Sequence, residues 1–351
     1  MKKRLLAGSL LCFILLSCLS ACGKQQSYTA YSFDYFDTVT TVVGYASDQE
    51  EFDRISGDIL SELGEYHRLF TTYHRYEGLE NLCTINELSN GAHRTVTVDR
   101  RIIDMLLYAR EMHAKTDGKV NIAMGSVLSI WHDYRELGMD DPASATLPPM
   151  ERLREAALHT DINGMVIDEE ACTVTLTDPD MRLDVGAIAK GYAVEMVARS
   201  LAERGISGYV INVGGNVRTV GTKPEGEPWL VGIENPAEDA ENPYLAYLNL
   251  ADRSLVTSGS YQRYYVVDGE RYHHIIDPDT LMPALGYLSV SIVCESSADG
   301  DALSTALFCM TPEEGLALIE SLPGIDAMWV MPDGTQEYSS GFYEHVMLPT
   351  E

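Results

Sequence analysis

The chain has 351 residues, 45% of them hydrophobic and 22% charged, a composition that suits a globular protein and excludes a disordered or fibrous one. A formal net charge of −28 argues against nucleic acid and against an anionic membrane face as partners, because like charges repel over a Debye length or more. A polyanionic ligand would need a metal ion or a local basic cluster.

The chain opens with M-K-K-R, then an apolar run from Leu5 to Leu19 that ends in L-S-A-C-G. Residues 1–21 are similar to a lipoprotein signal peptide, with Cys22 as the lipid acceptor; an uncleaved membrane anchor is the alternative. Both place the folded part in the cell envelope, attached to the extracytoplasmic face of the membrane. Residues 22–31 then read as a tether and 32–351 as the folded domain. Of the seven cysteines, Cys83, Cys172, Cys294 and Cys309 lie beyond the leader and lack metal-ligand spacing. They read as buried thiols, with room for one disulfide.

Ser32 to Tyr45 is rich in β-branched and aromatic residues and should open a sheet. Glu50 to Leu69 follows as a helix with Phe52, Ile55, Ile59, Leu60 and Leu63 on one face. Leu69 to Asn86 is too irregular for a long helix; Tyr73 and Tyr76 in it could stack on a flat ligand or plug the edge of a core. A second helix runs from Thr97 to Lys115 and stops at T-D-G. Lys119 to His132 is apolar apart from Asn121, Ser126 and Ser129, and a buried Asn121 needs a partner. A loop over Asp140 to Pro149 and a helix over Met150 to His159 come next, then strands at Met165 to Asp168 and Cys172 to Thr177.

The organising stretch is M-R-L-D-V-G-A-I-A-K-G-Y, Met181 to Tyr192. Met181 to Val185 reads as the end of a strand and Ala189 to Arg204 as a helix. Gly186 and Gly191 then flank a junction where free N–H groups favour an anion, with Asp184 and Lys190 on either side. An Asp helix cap and a solvated Lys would give the same pattern. Ser207 to Asn216 is a buried strand ending in Gly214-Gly215, which serve either close approach to a ligand or a bulge. Neither a Rossmann fingerprint nor a Walker A motif is present.

Trp229 to Glu234 and Ala246 to Leu250 are strands. Thr257 to Tyr265 and Arg271 to Thr280 form a hairpin turning at Asp268-Gly269, which brings Arg263 near His274. Leu288 to Val293 is a strand, and a helix begins at Ala298. Asp301 and Thr305 lie one turn apart on that helix, where both can reach one hard cation; an acidic first turn with a self-bonded Thr is the plain alternative.

L-D-V-G-A-I-A-K-G-Y (183–192), V-G-G-N (213–216), S-G-S-Y (258–261), H-I-I-D-P-D-T (274–280) and D-A-L-S-T-A (301–306) resemble, in order and spacing, the ApbE family of FAD:protein FMN transferases. The likeness extends from about Phe36 to the C-terminus. It implies a two-part α+β architecture related to the T-fold, with FAD and Mg²⁺ bound. It also implies a metal held by Asp301, Thr305 and the backbone oxygen of Ala187, with Asp184, Lys190, His274 and Ile275 contacting FAD. Phe36, Tyr73 and Asn121 fall where the family lines the flavin.

The implied reaction moves FMN from FAD to a threonine hydroxyl of a partner protein and releases AMP. His274 and Asp301 are the catalytic candidates, and Lys190 assists charge neutralisation. The family's acceptor pattern, Ser/Thr-Gly-Ala-Thr, does not occur in this chain, so the acceptor is a separate protein. An FAD pyrophosphatase and a non-catalytic FAD-binding lipoprotein are the alternatives. Two residues depart from the family: Leu281 stands where a glycine is usual, and Asn121 where an aspartate is common.

Overall fold

The computed structural model describes residues 25–88, 95–237 and 240–347. The leader and Cys22 lie outside the described residues.

Strands β1 (Gln26–Ser32) and β2 (Thr40–Ala46) lead into helix α1 (Gln49–Phe70), helix α2 (Leu82–Leu88) and strand β3 (Thr95–Thr97). Helices α3 (Arg100–Lys115), α4 (Gly125–Asp140) and α5 (Met150–Ala156) follow, then β4 (Met165–Asp168), β5 (Thr173–Leu176) and helix α6 (Ala189–Glu203). Next come β6 (Tyr209–Val213), β7 (Asn216–Val220), β8 (Trp229–Glu234), β9 (Tyr244–Leu250), β10 (Ser254–Gly259), β11 (Tyr264–Val267) and β12 (Glu270–His273). The chain closes with β13 (Ser289–Cys294), α7 (Ser297–Phe308), α8 (Pro312–Glu320), β14 (Asp326–Val330), β15 (Gln336–Tyr338) and β16 (Val346–Met347).

Eight strands make one antiparallel sheet in the order β1-β2-β6-β7-β10-β13-β14-β15. Side chains alternate between its faces, and both faces are used. In β13, Val290, Ile292 and Cys294 join a large core shared with α1, α6 and α7, while Val293 joins a second core shared with β8 and β9. A third cluster packs α4 and α5 against the β11–β12 hairpin through Trp131, Leu153, Tyr265 and Leu281. The result is the expected α+β architecture.

The local rules explain most elements. Asp48 caps α1 by accepting from Glu51 N–H at 2.9 Å, and the helix buries Phe52, Ile55, Ile59 and Leu63 of the expected face, with Leu60 only half-buried at its edge. The hairpin turn at Asp268-Gly269 forms as expected, with φ of 52° and 86°. Gly214 and Gly215 make the two-residue turn between β6 and β7, not a bulge, with φ of 55° and 92°. A Cβ on Gly214 would lie 2.4 Å from Thr38 Oγ1, so the loop after β1 also rests on this turn.

Several boundaries differ from the sequence reading. Gln26 to Tyr31, expected in the tether, belong to β1 and pair with β2, and the expected single strand from Ser32 to Tyr45 is broken by a loop. Phe36 and Asp37 in that loop have φ of 55° and 51°, which no strand tolerates. Met181 to Val185 is not a strand; its ladder contact is one parallel bridge, Met124 with Arg182. Helix α4 runs through Asp140, so the proline-rich loop starts later. Ser254–Gly259 belongs to the large sheet, so the hairpin begins only at Tyr264. The four cysteines are free, and Cys172 is half-exposed, not buried.

Candidate active site

The junction before α6, the first turns of α7, the loop after β1, Tyr73, α4 and the hairpin enclose a cleft of about 540 Å³. Phe36, Tyr73, Asn121, Asp184, Ala187 and Lys190 line it, as do His274, Ile275, Asp301 and Thr305. Segments far apart in sequence thus bring every expected site residue to one place.

The wall made by α6 and α7 is the tightest part. A Cβ on Gly191 would sit 2.3 Å from Ser297 O and 2.4 Å from Asp301 Cβ, so only glycine permits this crossing. Asp301 is 3% exposed, and its Oδ2 accepts the Gly191 N–H at 2.8 Å. A regular helix would give that N–H to the Ala187 carbonyl. The carbonyl of Ala187 accepts no backbone hydrogen bond among the described residues, and Ala187 lines the same cleft. Lys190 Nζ lies 3.4 Å from Asp301 Oδ1 and supplies a positive charge at the carboxylate.

The plain readings of these residues fail on geometry. Residue Ile188, not Asp184, occupies the cap position of α6, and Asp184 Oδ1 instead accepts from Gly186 N–H at 2.8 Å. Burial raises the Asp184 carboxyl above its ordinary range despite that bond. Ser296 caps α7, and Ser304, not Thr305, bonds back to its own helix through Asp301 O at 3.1 Å. Thr305 therefore keeps its hydroxyl for the cleft.

A carboxylate, a hydroxyl and an unbonded carbonyl are hard oxygen donors, the set that suits Mg²⁺. The residues present therefore fit the metal that the resemblance implies. A separate group of possible ligands, His159, Asp178 and Asp180, lies outside the cleft lining and is tied together by a 2.8 Å bond from His159 Nδ1 to Asp178.

His274 is held from the hairpin. Its N–H and its Nδ1 both meet the Arg263 carbonyl, at 3.1 and 3.3 Å. A carbonyl can only accept, so Nδ1 carries the ring proton and Nε2 keeps its lone pair. Burial, then the neighbouring His273, Arg263, Lys190 and Arg135, lower the His274 pKa to about 3. The ring is neutral at physiological pH.

A basic cluster surrounds these groups, and Arg135 and Lys119 in it were not singled out from the sequence. Arg135, Arg263, Lys119 and Lys190 all line the cleft of a chain whose net charge is −28. Lys119 is committed to Asp277 at 3.1 Å and Asp279 at 2.7 Å. Arg263 donates to the Asp37 carbonyl at 3.0 Å and straps the Phe36 loop. Arg135, with its side chain 14% exposed, meets only His132 Nδ1 at 2.9 Å and Glu136 at 3.8 Å among the described residues. It lies on α4, and the fold turns it into the cleft.

Both departures from the family have structural correlates. Leu281 adopts φ of 61°, the left-handed region that favours glycine. Its N–H donates to Asp277 O at 2.8 Å, its carbonyl accepts from Trp131 Nε1 at 2.9 Å, and its buried side chain offsets part of the strain. Asn121 donates to Thr160 O at 2.9 Å and accepts from Ala123 N–H at 2.9 Å. An aspartate could make only the second bond.

Known proteins are similar to this chain in sequence and in fold. The sequence pattern of the ApbE family matches residues 36–329. The FAD:protein FMN transferase of Treponema pallidum is 34% identical over 267 residues, 72% of each chain. One from Klebsiella pneumoniae is 33% identical over 272 residues, covering 75% of this chain and 81% of its own. The crystal structure of the ApbE protein of Thermotoga maritima superposes with a TM-score of 0.79 at 28% identity, covering 92% of this chain and all of its own. With the pattern spanning the cleft from Phe36 through Thr305, this chain belongs to the ApbE family.

Proposed function

We propose that this protein transfers FMN from FAD to a threonine hydroxyl of a partner protein and releases AMP. The convergence of Asp184, Lys190, His274, Asp301 and Thr305 on one basic cleft is the observation that carries the reading. The aromatic side chains of Phe36, Tyr73 and Trp131 line the same space and suit a flat ring system, while Lys190, Arg135 and Arg263 suit its phosphates.

Asp301, Thr305 and the Ala187 carbonyl would hold Mg²⁺, which when bound offsets phosphate charge and polarises the reacting phosphoryl group. The remaining steps belong to the chain's own residues. Lys190 neutralises charge beside Asp301, and His274 Nε2 takes the proton of the attacking threonine. The threonine oxygen bonds to the phosphorus on the FMN side as the bond from that phosphorus to the bridging oxygen breaks. AMP leaves with the bridging oxygen, and FMN remains as a phosphoester.

Incubating the protein with FAD and Mg²⁺, with and without a peptide carrying Ser-Gly-Ala-Thr, tests this reading. Flavinylated peptide with released AMP supports transfer. AMP and FMN with unmodified peptide mean hydrolysis, and unchanged FAD means binding alone. We place the protein in the cell envelope, held by a lipid on Cys22. Membrane release of a Cys22→Ala variant, with loss of palmitate labelling, checks that placement.

A further inference from the structure

A second groove, of about 840 Å³, opens on the other face of the large sheet. Val43, Val210 and Val217 form its floor, half-buried, while the alternating Val42 and Ile211 fill the core behind. One wall consists of Trp229, Leu230, Val231 and Gly232 in succession. Successive residues of a strand point to opposite faces, so consecutive residues lining one space mean that the strand's edge faces it. The three-stranded sheet has the order β16-β9-β8, which leaves that edge of β8 without a strand partner among the described residues. Trp229, 6% exposed, also keeps an indole N–H with no hydrogen-bond partner.

Thr38, Gly214 and Gln262 line both this groove and the reaction cleft, so the two spaces meet. Their chemistry differs. Among the described lining residues of the groove only Glu234 is charged, so it offers no cation to a phosphate. What it offers is a row of unpaired backbone groups above a floor of valines, the surface that takes an extended, uncharged polypeptide.

We propose that the acceptor protein docks here as a strand added to β8 and feeds its threonine past Thr38 and Gln262 into the cleft. This rests on the transfer reading. Small side chains near the threonine would suit the valine floor, and main-chain bonds to β8 would set the depth of insertion.

The test compares Val210→Glu and the more exposed Leu230→Asp with the wild type, using a carrier protein that bears a Ser-Gly-Ala-Thr segment. The acceptor KM is expected to rise about tenfold or more while kcat and FAD affinity stay within about twofold. Retained FAD affinity shows that each variant is folded. An acceptor KM within about twofold of wild type in both variants overturns the proposal. Amide exchange of β8 gives an independent readout. If the wild type transfers nothing yet the carrier protects the β8 amides, the transfer reading fails and the groove stands; unprotected β8 amides overturn the groove.

Discussion

The α6–α7 wall of the cleft and the wall opposite, made by α4, Tyr73 and the Phe36 loop, are held by different means. The first is fixed by backbone: Gly191 N–H bonds Asp301 at 2.8 Å, and the close crossing leaves no room for a Cβ. The second is held by side chains. Tyr73 is 56% exposed with its ring 5.2 Å from that of His132, and Arg135 bonds the same histidine at 2.9 Å. Groups whose position decides a reaction belong on the fixed wall, because small displacements cost rate steeply. Groups that cover a large flat ligand tolerate the looser one.

The largest effect expected is on the fixed wall. Asp301→Ala should lower FMN transfer by about a thousandfold or more while the fold persists, since it removes an electrostatic contact made in the transition state. Transfer at the wild-type rate by a folded, Mg²⁺-loaded variant would erase the distinction between the walls. His274→Ala should cost about a hundredfold in kcat, the usual size of a lost general base.

The pH dependence of the wild type sharpens the His274 assignment. With its pKa lowered to about 3, His274 is already neutral well below its ordinary value of 6.5, so the rate should show no acid limb near 6.5 that belongs to this residue. A limb there that vanishes in His274→Ala would mean that the ring keeps its ordinary pKa in the cleft, which contradicts the shift and not the role of the residue. The same shift acts on stability. The unfolded chain binds this proton more readily, so the contribution of His274 is full above about 6.5 and is lost as the pH falls toward about 3.

Gly191→Ala should lower stability by about 1–3 kcal/mol through overpacking against Ser297 and Asp301, visible as a drop in Tm. An unchanged Tm would mean that the crossing can relax. The smallest effect belongs to the looser wall. Arg135→Ala should weaken FAD binding about tenfold by removing a charge-assisted hydrogen bond, with Tm nearly unchanged, as flavin fluorescence and thermal unfolding would report.

Much of the fixed wall was legible in the sequence. Asp184, Ala187, Lys190 and Gly191 are neighbours in the chain, and Asp301 and Thr305 are one helical turn apart, so local spacing carries their relationship. The looser wall was less legible because tertiary packing assembles it. Arg135 and Lys119 have no motif around them, and nothing local turns either inward. The break between β1 and β2 was hidden for another reason: S-F-D-Y-F-D-T has strand-like composition, but the left-handed Phe36 and Asp37 follow from contacts with His67 and Arg263. Gly214-Gly215 was visible as a glycine pair, but its role as a hairpin turn depended on recognising β7 as a separate strand.

A crystal soaked with FAD and Mn²⁺ and read by anomalous scattering would locate the ion and the flavin together. The expected result is an ion bound by the Asp301 carboxylate, the Thr305 hydroxyl and the Ala187 carbonyl, with the pyrophosphate beside it and the flavin in the same cleft. An ion at His159, Asp178 and Asp180 with none at Asp301, or FAD bound outside the cleft, would contradict it.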